Sequence, residues 1–502
     1  MSTKTQGINS FFFSRWLFLR LLGCVFLITF LSTWIQVDGL MGSEGIMPAH
    51  TLLELVYDKY GIRSFSMLPT WFWINASDLA LHVVCGLGVI GSVLLILGWF
   101  EAVVIFILWS LYLSIVSVGR DFYSFQWDIF LLEVSFLSIF LASWRIKSKS
   151  LKEDPPSVVI VGLLYWVVFR IVFESGMVKL TSGDISWRNM TALTYHFFTQ
   201  PLPNGLSWGV HQWPEWWLRL LTFMMFVIEL ALPFLIFLGR MPRLIAAGGI
   251  TLLMVLISIT GNYAYFNLLT VIICILFLDD NMWRHIMPSS WMSKLSWSGA
   301  GKKKDENLIV KNFCIGILTV MVVILSTTQL LRITLNVKSV MKPFRYITDL
   351  SRPFHFVNSY GLFATMTKER PEIIIEGSYD GQEWYAYEFP WKPGDLKRKP
   401  SQVAPHQPRL DWQMWFAALG GNYKSNQWFI PLMKRLLEGS ESVTNLLINN
   451  PFEDKPPTHV RALIYKYEFT TSEERRKTGQ WWKRHSVALY CPPVSLKPES
   501  EK

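Results

Sequence analysis

The chain has 502 residues, of which 51% are hydrophobic and 17% charged, and its mean hydropathy is +0.30. Composition this apolar excludes a single water-soluble domain and points to several membrane spans. The net charge of +10 does not call for a nucleic-acid partner, because basic cytoplasmic loops give membrane proteins such a charge routinely.

Apolar runs near the roughly 20 residues that cross a hydrocarbon core lie at about 16–37, 78–99, 102–118, 128–143, 158–173, 218–238, 243–259, 266–279 and 312–331. They predict a polytopic α-helical membrane domain of about nine spans over residues 1–331. The first run starts near Trp16, holds Arg20 and lacks a small-residue cleavage site, so it reads as a retained anchor. The connections after the fourth run (Arg145, Lys147, Lys149, Lys152), the sixth (Arg240, Arg243) and the eighth (Arg284, Lys294, Lys302, Lys303, Lys304) are basic and fall on one side. The positive-inside bias makes that side cytoplasmic and puts everything after Arg332 outside the cytoplasm. Two glycosylation sequons, at Asn75 and Asn189, fall on the same outer side. Cys24, Cys85, Cys274 and Cys314 lie within predicted spans and Cys491 stands alone, so no disulfide framework or CxxC site is expected.

A polar, Trp- and Pro-rich domain follows at 334–493, with 494–502 expected as a disordered tail. Glu372 to Glu376, the Asp380-Gly381 pair and the aromatic stretch after it predict two strands around a turn, and Val460 to Phe469 predicts another. Asp411 to Leu419 and Trp428 to Leu437 predict helices. The expected fold is a β-rich, β-sandwich-like non-cytoplasmic domain with helical insertions.

The residues that could carry chemistry are charges set into apolar runs. Arg170, Glu174, Lys179 and Asp184 follow one another at the end of the fifth run, and Asp128 and Glu133 open the fourth. Glu229 interrupts the sixth. An ionisable group at membrane depth costs at least about 2.5 kcal/mol on insertion scales and is paired, cavity-facing or functional. The structural reading has these charges neutralise one another; the functional one makes Glu174, Lys179 and Glu229 the working groups of an enzyme. No HExxH, GxSxG, Walker loop, GxGxxG or clustered Cys/His pattern occurs, so no metal or cofactor is expected. In the polar domain Arg409, Asp411, Trp412, Trp415 and Phe416 have the residue types of a protein-binding hot spot.

Several long stretches resemble the lipase maturation factor family: Gly39 to Ala49, Phe125 to Glu133, Phe173 to Pro203 and Thr260 to Thr270 in the membrane part. Val357 to Thr367, Glu376 to Trp384, Ala404 to Leu419 and Asn450 to Pro457 do the same in the polar part. The membrane part is also distantly similar to that of vitamin K-dependent γ-carboxylases. The first resemblance implies a membrane protein that helps secreted dimeric lipases reach an active folded state, a folding factor more than an enzyme, whose partners are membrane lipid and a client lipase. It implies an endoplasmic-reticulum membrane with the polar domain lumenal, or an inner membrane with a periplasmic domain for a bacterial relative. The alternative reading is a membrane-embedded enzyme acting on a lipid or quinone-like substrate in a charged cavity.

Overall fold

The computed structural model describes residues 10–147, 155–287, 308–335 and 345–496. The apolar runs form helices α1 Phe12–Trp34, α2 Asp78–Leu97, α3 Glu101–Val118, α4 Gln126–Leu141, α5 Val158–Thr181, α6 Glu215–Leu230, α7 Arg240–Thr260, α8 Phe266–Cys274 and α9 Leu308–Leu335. Among the described residues seven are long and apolar enough to cross a membrane: α1, α2, α3, α5, α6 extended to Leu235, α7, and Asn312–Thr334 of α9. An eighth counts if Phe266–Phe277 and Asp280–Ile286, bent by 101° at their junction, form one span. Seven or eight spans agree with the expected count of about nine, give or take two. Helix α4 has 16 residues, which rise about 24 Å against a core of about 30 Å. It still runs the height of the bundle beside α3, ending where Ser143 N donates to Glu101 at the start of α3 (3.2 Å).

Small residues let the helices approach closely. A Cβ on Gly88 of α2 would overlap the Phe30 ring of α1, which is how glycine serves helix contacts in membranes. Arg20 of α1 is neutralised by Glu101 at 2.7 Å. The described basic connections gather at one end of the bundle. There Phe100 N donates to Ile146 O (2.8 Å), Arg240 reaches Asp279 (3.3 Å) and Asp280 N donates to Ser10 O (2.8 Å). Lys149, Lys152, Lys294 and Lys302 to Lys304 lie outside the described residues. The C-terminal domain sits at the opposite end.

That domain is built on one antiparallel sheet of β1 Arg370–Ser378, β2 Tyr385–Ala386, β3 His459–Phe469 and β4 Trp482–Val494, in the order β2-β1-β3-β4. Asp380 and Gly381 form the expected turn: Asp380 Oδ1 accepts from the backbone of Gln382 and Glu383 (2.8 and 3.0 Å), and Gly381 takes a left-handed φ of 76°. Between β2 and β3 come α10 Arg409–Gly420 and α11 Phe429–Glu438. On α11, Phe429, Leu432, Met433 and Leu436 are buried, the i, i+3, i+4, i+7 stripe of a helix laid on a core. The sandwich expectation is corrected to a single sheet among the described residues. The chain between β2 and β3 repeats at helical period, so helices and the membrane domain cover the face a second sheet would have taken. Residues 497–502 of the expected tail lie outside the described residues.

Candidate functional site

The charges set into the apolar runs converge on the seam between the two domains. The first clasp is Arg409, at the start of α10. Its guanidinium meets both oxygens of Asp128 at 2.8 and 2.9 Å and donates to Phe122 O at 2.6 Å. It lies over the Tyr123 ring at 3.5 Å. Arg409 and Asp128 are fully buried, and a planar bidentate pair is the geometry that best offsets desolvation. Gln36, just beyond α1, closes the joint by accepting from Arg409 N (3.0 Å) and donating to Gln407 O (2.9 Å).

The second clasp holds the segment 355–367, which leads from α9 to β1. Glu133 of α4 pairs with Arg170 of α5 and also accepts from Asn358 N (2.9 Å) and Tyr360 OH (2.8 Å). Arg170 donates to Asn358 O (2.8 Å), and Glu174 accepts from Tyr360 N (2.7 Å) through one oxygen. Its other oxygen has no hydrogen-bond partner among the described residues. The polar groups of an irregular loop are thereby satisfied inside the helix bundle, the condition for such backbone near membrane depth.

Lys179 and Glu229 form a separate buried pair at 2.6 and 2.8 Å, tying α5 to α6. Asp184 does not belong to the intramembrane cluster, a correction to the sequence reading. It lies past the end of α5, caps Ser186 N (2.8 Å) and accepts from Met366 N (2.6 Å). Against a slight cost of burial, those backbone donors hold its carboxyl below the usual range.

The five hot-spot candidates of the polar domain separate. Trp412 and Trp415 are only 5% and 7% exposed, so their expected place on an open binding surface is corrected, as is that of Arg409. Trp412 packs on Trp127 (centroids 4.8 Å apart) and Phe125 (5.7 Å), and Trp415 donates to Thr199 O (2.9 Å). Burial suits them because the membrane domain offers an aromatic face to receive them. Asp411 is buried within its own domain, accepting from Trp391 N and Lys392 N at 2.9 and 2.8 Å. Burial, only partly offset by those donors, pushes its carboxyl up to about 6. Phe416 alone stays exposed, at 44%. The sequon residues Asn75 and Asn189 are both exposed.

A cavity of about 540 Å³ opens along the seam, lined by Trp127, Tyr263, Phe363, Trp412, Trp415 and Phe416 among others. Glu174, Lys179 and Glu229 are not in its lining. Lys179 and Glu229 are committed to each other and Glu174, through one oxygen, to the loop, so none of the three faces that cavity.

Sequence reasoning missed other members of the seam. Asn262 accepts from Val403 N and Ala404 N (2.6 and 2.9 Å) and donates to Leu202 O and Ser401 O (3.0 and 2.9 Å). Arg370 of β1 donates to Phe198 O and Pro201 O, both at 2.8 Å, while paired to Glu372. The turn Ser43 to Gly45 accepts from Arg435 at two carbonyls, each 2.9 Å away. The available signal was the position of Asn262, Asn358, Tyr360 and Ser43 inside the stretches that carry the resemblance. Arg370 gave none, since a charge at a strand start is ordinary.

This is the arrangement of a polytopic membrane protein whose C-terminal domain is clasped onto its bundle through buried ion pairs and aromatic rings. Residues 13–285 match the family description "Lipase maturation factor transmembrane domain", and residues 356–492 match "Lipase maturation factor C-terminal domain". The chain belongs to the lipase maturation factor family. It is 33% identical to lipase maturation factor 1 of Bos taurus, over 97% of this chain and 90% of that protein. It is likewise 33% identical to lipase maturation factor 1 of Homo sapiens, over 97% and 89%. With lipase maturation factor 2 of Mus musculus it shares 36% identity over 96% of this chain and 83% of that protein. No solved structure matches it.

Proposed function

We propose that this protein is a membrane-bound maturation factor that helps secreted dimeric lipases fold and assemble into active form, with the C-terminal domain presented to the client. The observation that carries the reading is the similarity to lipase maturation factors along nearly the whole chain, both domains included. The clasped seam supports it, because a domain held rigidly at the membrane surface offers a nascent client a fixed platform. Basic connections at the end of the bundle opposite that domain favour a non-cytoplasmic C-terminal domain. In a secretory cell that side is the lumen of the endoplasmic reticulum, and in a bacterium it is the periplasm.

Client contact falls to Phe416, exposed at the mouth of the aromatic cavity, with the buried Trp412 and Trp415 shaping the wall behind it. The test is rescue. The protein is expressed with a dimeric lipase in secretory cells lacking their own maturation factor, and secreted lipase activity is measured per unit of lipase protein. Restored specific activity is expected; secretion of inactive lipase despite correct insertion would overturn the proposal.

A further inference from the structure

Between α1 and α2, on the side of the C-terminal domain, the chain makes a helix Ala49–Tyr60 and then an irregular stretch to Ser77. From Ser64 to Ser77 it carries no charged residue. It does not stay at the end of the bundle. Residues 69–71 descend along α3: Ser117 Oγ donates to Pro69 O (3.2 Å), Trp71 N donates to Ser114 Oγ (3.0 Å) and Trp71 Nε1 donates to Ser110 Oγ (3.4 Å). Helix α3 ends at Val118 beneath the C-terminal domain, where the adjoining Arg120 and Asp121 contact Gln427 and Gln413. Ser110 is therefore two turns inside that end, about 12 Å along the axis.

Along this descent the stretch satisfies its own polar groups. Phe72 N donates to Thr70 Oγ1 (3.1 Å), Thr70 Oγ1 donates to Ser114 O (3.2 Å), Trp73 Nε1 donates to Leu68 O (2.8 Å) and Ile74 N donates to Trp71 O (3.0 Å). What it turns outward is mostly apolar: Ile62 is 82% exposed, Ile74 81% and Trp71 53%, with Arg63 and Ser66 also exposed toward its start. This surface adjoins the outward faces of the spanning helices, with Leu79 of α2 following in the chain and Ile107 of α3 one turn from the Ser110 that Trp71 meets, and both are also exposed.

We propose that residues 61–74 form a fixed re-entrant wedge in the leaflet on the side of the C-terminal domain, with Ile62, Phe65, Met67, Trp71 and Ile74 in contact with lipid acyl chains. Three observations favour lipid over a protein partner. The depth fixed by Ser110 lies below the end of a spanning helix. From Ser64 onward the segment is uncharged and hydroxyls satisfy its backbone, which hydrocarbon demands and water does not, while Arg63 at its start is long enough to reach the headgroups. The patch adjoins side chains that the spans already present to the bilayer. The wedge gives the protein a shallow anchor in one leaflet beside its spans, at the foot of the domain held by the Ser43 to Gly45 turn.

Single-cysteine variants of the full chain test it. Ile62→Cys and Ile74→Cys are made with all five native cysteines, Cys24, Cys85, Cys274, Cys314 and Cys491, replaced by Ala, labelled with bimane and reconstituted in phosphatidylcholine nanodiscs, with Leu79→Cys as the lipid-facing control and Gln382→Cys as the aqueous one. Doxyl-labelled lipid is expected to quench the Ile62→Cys and Ile74→Cys labels as strongly as Leu79→Cys, and at least about threefold more than aqueous iodide does. Iodide quenching equal to that of Gln382→Cys would overturn the wedge. If a dimeric lipase added to the discs then shielded those labels from iodide, the patch would be a client-docking surface instead.

Discussion

A guanidinium taken out of water needs compensation, and Arg409 finds it in Asp128, Phe122 O and the face of Tyr123, although its Nε has no hydrogen-bond partner among the described residues. Removing one partner leaves the other charge buried alone, at a cost of about 3–5 kcal/mol, whereas replacing both by apolar residues is often nearly neutral. Arg409→Met and Asp128→Leu should therefore each lower thermal stability in detergent by several degrees, and the double variant should recover most of the loss. No recovery would mean that the two side chains act separately. His406 makes a subtler contribution, with Nδ1 2.9 Å from Ser32 Oγ of α1. Burial and the neighbouring Arg409 push its pKa down to about 4. The folded state thus binds its proton less well than the unfolded chain does, near 6.5. The resulting stabilisation is complete above pH 6.5 and is lost as the pH falls toward 4. In His406→Gln the stability profile between pH 6.5 and 4 should be flatter than in the parent; unchanged slopes would assign the acid sensitivity to other groups.

At the scale of elements, α10 has two tasks that separate along its length. Its first turns lock into the membrane domain through Arg409, Trp412 and Gln413, and its far end presents Phe416 at the cavity mouth. Trp412→Ala removes a buried indole packed on Trp127, which costs about 3–5 kcal/mol for a large aromatic, so expression and thermal stability should fall together. Phe416→Ala should leave both near the parent values while reducing lipase rescue severalfold and weakening client co-purification. If Phe416→Ala rescues fully, client contact lies elsewhere on the domain. The pairing of α5 with α6 tests the enzyme alternative. Lys179→Met and Glu229→Leu should each lose activity only in proportion to lost folded protein, and the double variant should regain both. Loss of specific activity in a well-folded double variant would revive a chemical role for the pair.

At the scale of the molecule, the stretches that resemble the lipase maturation factor family lie far apart in the chain and largely meet at one seam. Gly39 touches the backbone carbonyl of Ser442 so closely that a Cβ would overlap it and press on Leu446 (2.7 Å). Gly39→Ala should accordingly loosen the docked domain, read as faster protease cleavage between α9 and β1 with the membrane domain intact. How much of this was legible beforehand follows from the range of each signal. Spans, α10, α11, the Asp380-Gly381 turn and β3 rest on local pattern; seven of the expected spans form helices long enough to cross, α4 falls short, and 266–279 counts only with the bent helix after it. β4 was not expected, because Trp482 to Val494 contains two prolines near its end and holds its place through pairing with β3.

Read alone, the amino-acid sequence places this chain in a membrane, shows which connections are basic and identifies the family it belongs to. Each of these depends on composition or on contiguous motifs. What the charges in the apolar runs do emerges from the packed fold. Asp128 and Arg409 are 281 residues apart, and Glu133 finds Asn358 across 225. Pairing at such separations follows from how the helices pack, so Asp128, Glu133 and Arg170 on one side and Arg409, Trp412 and Asn358 on the other become the two faces of a buried joint.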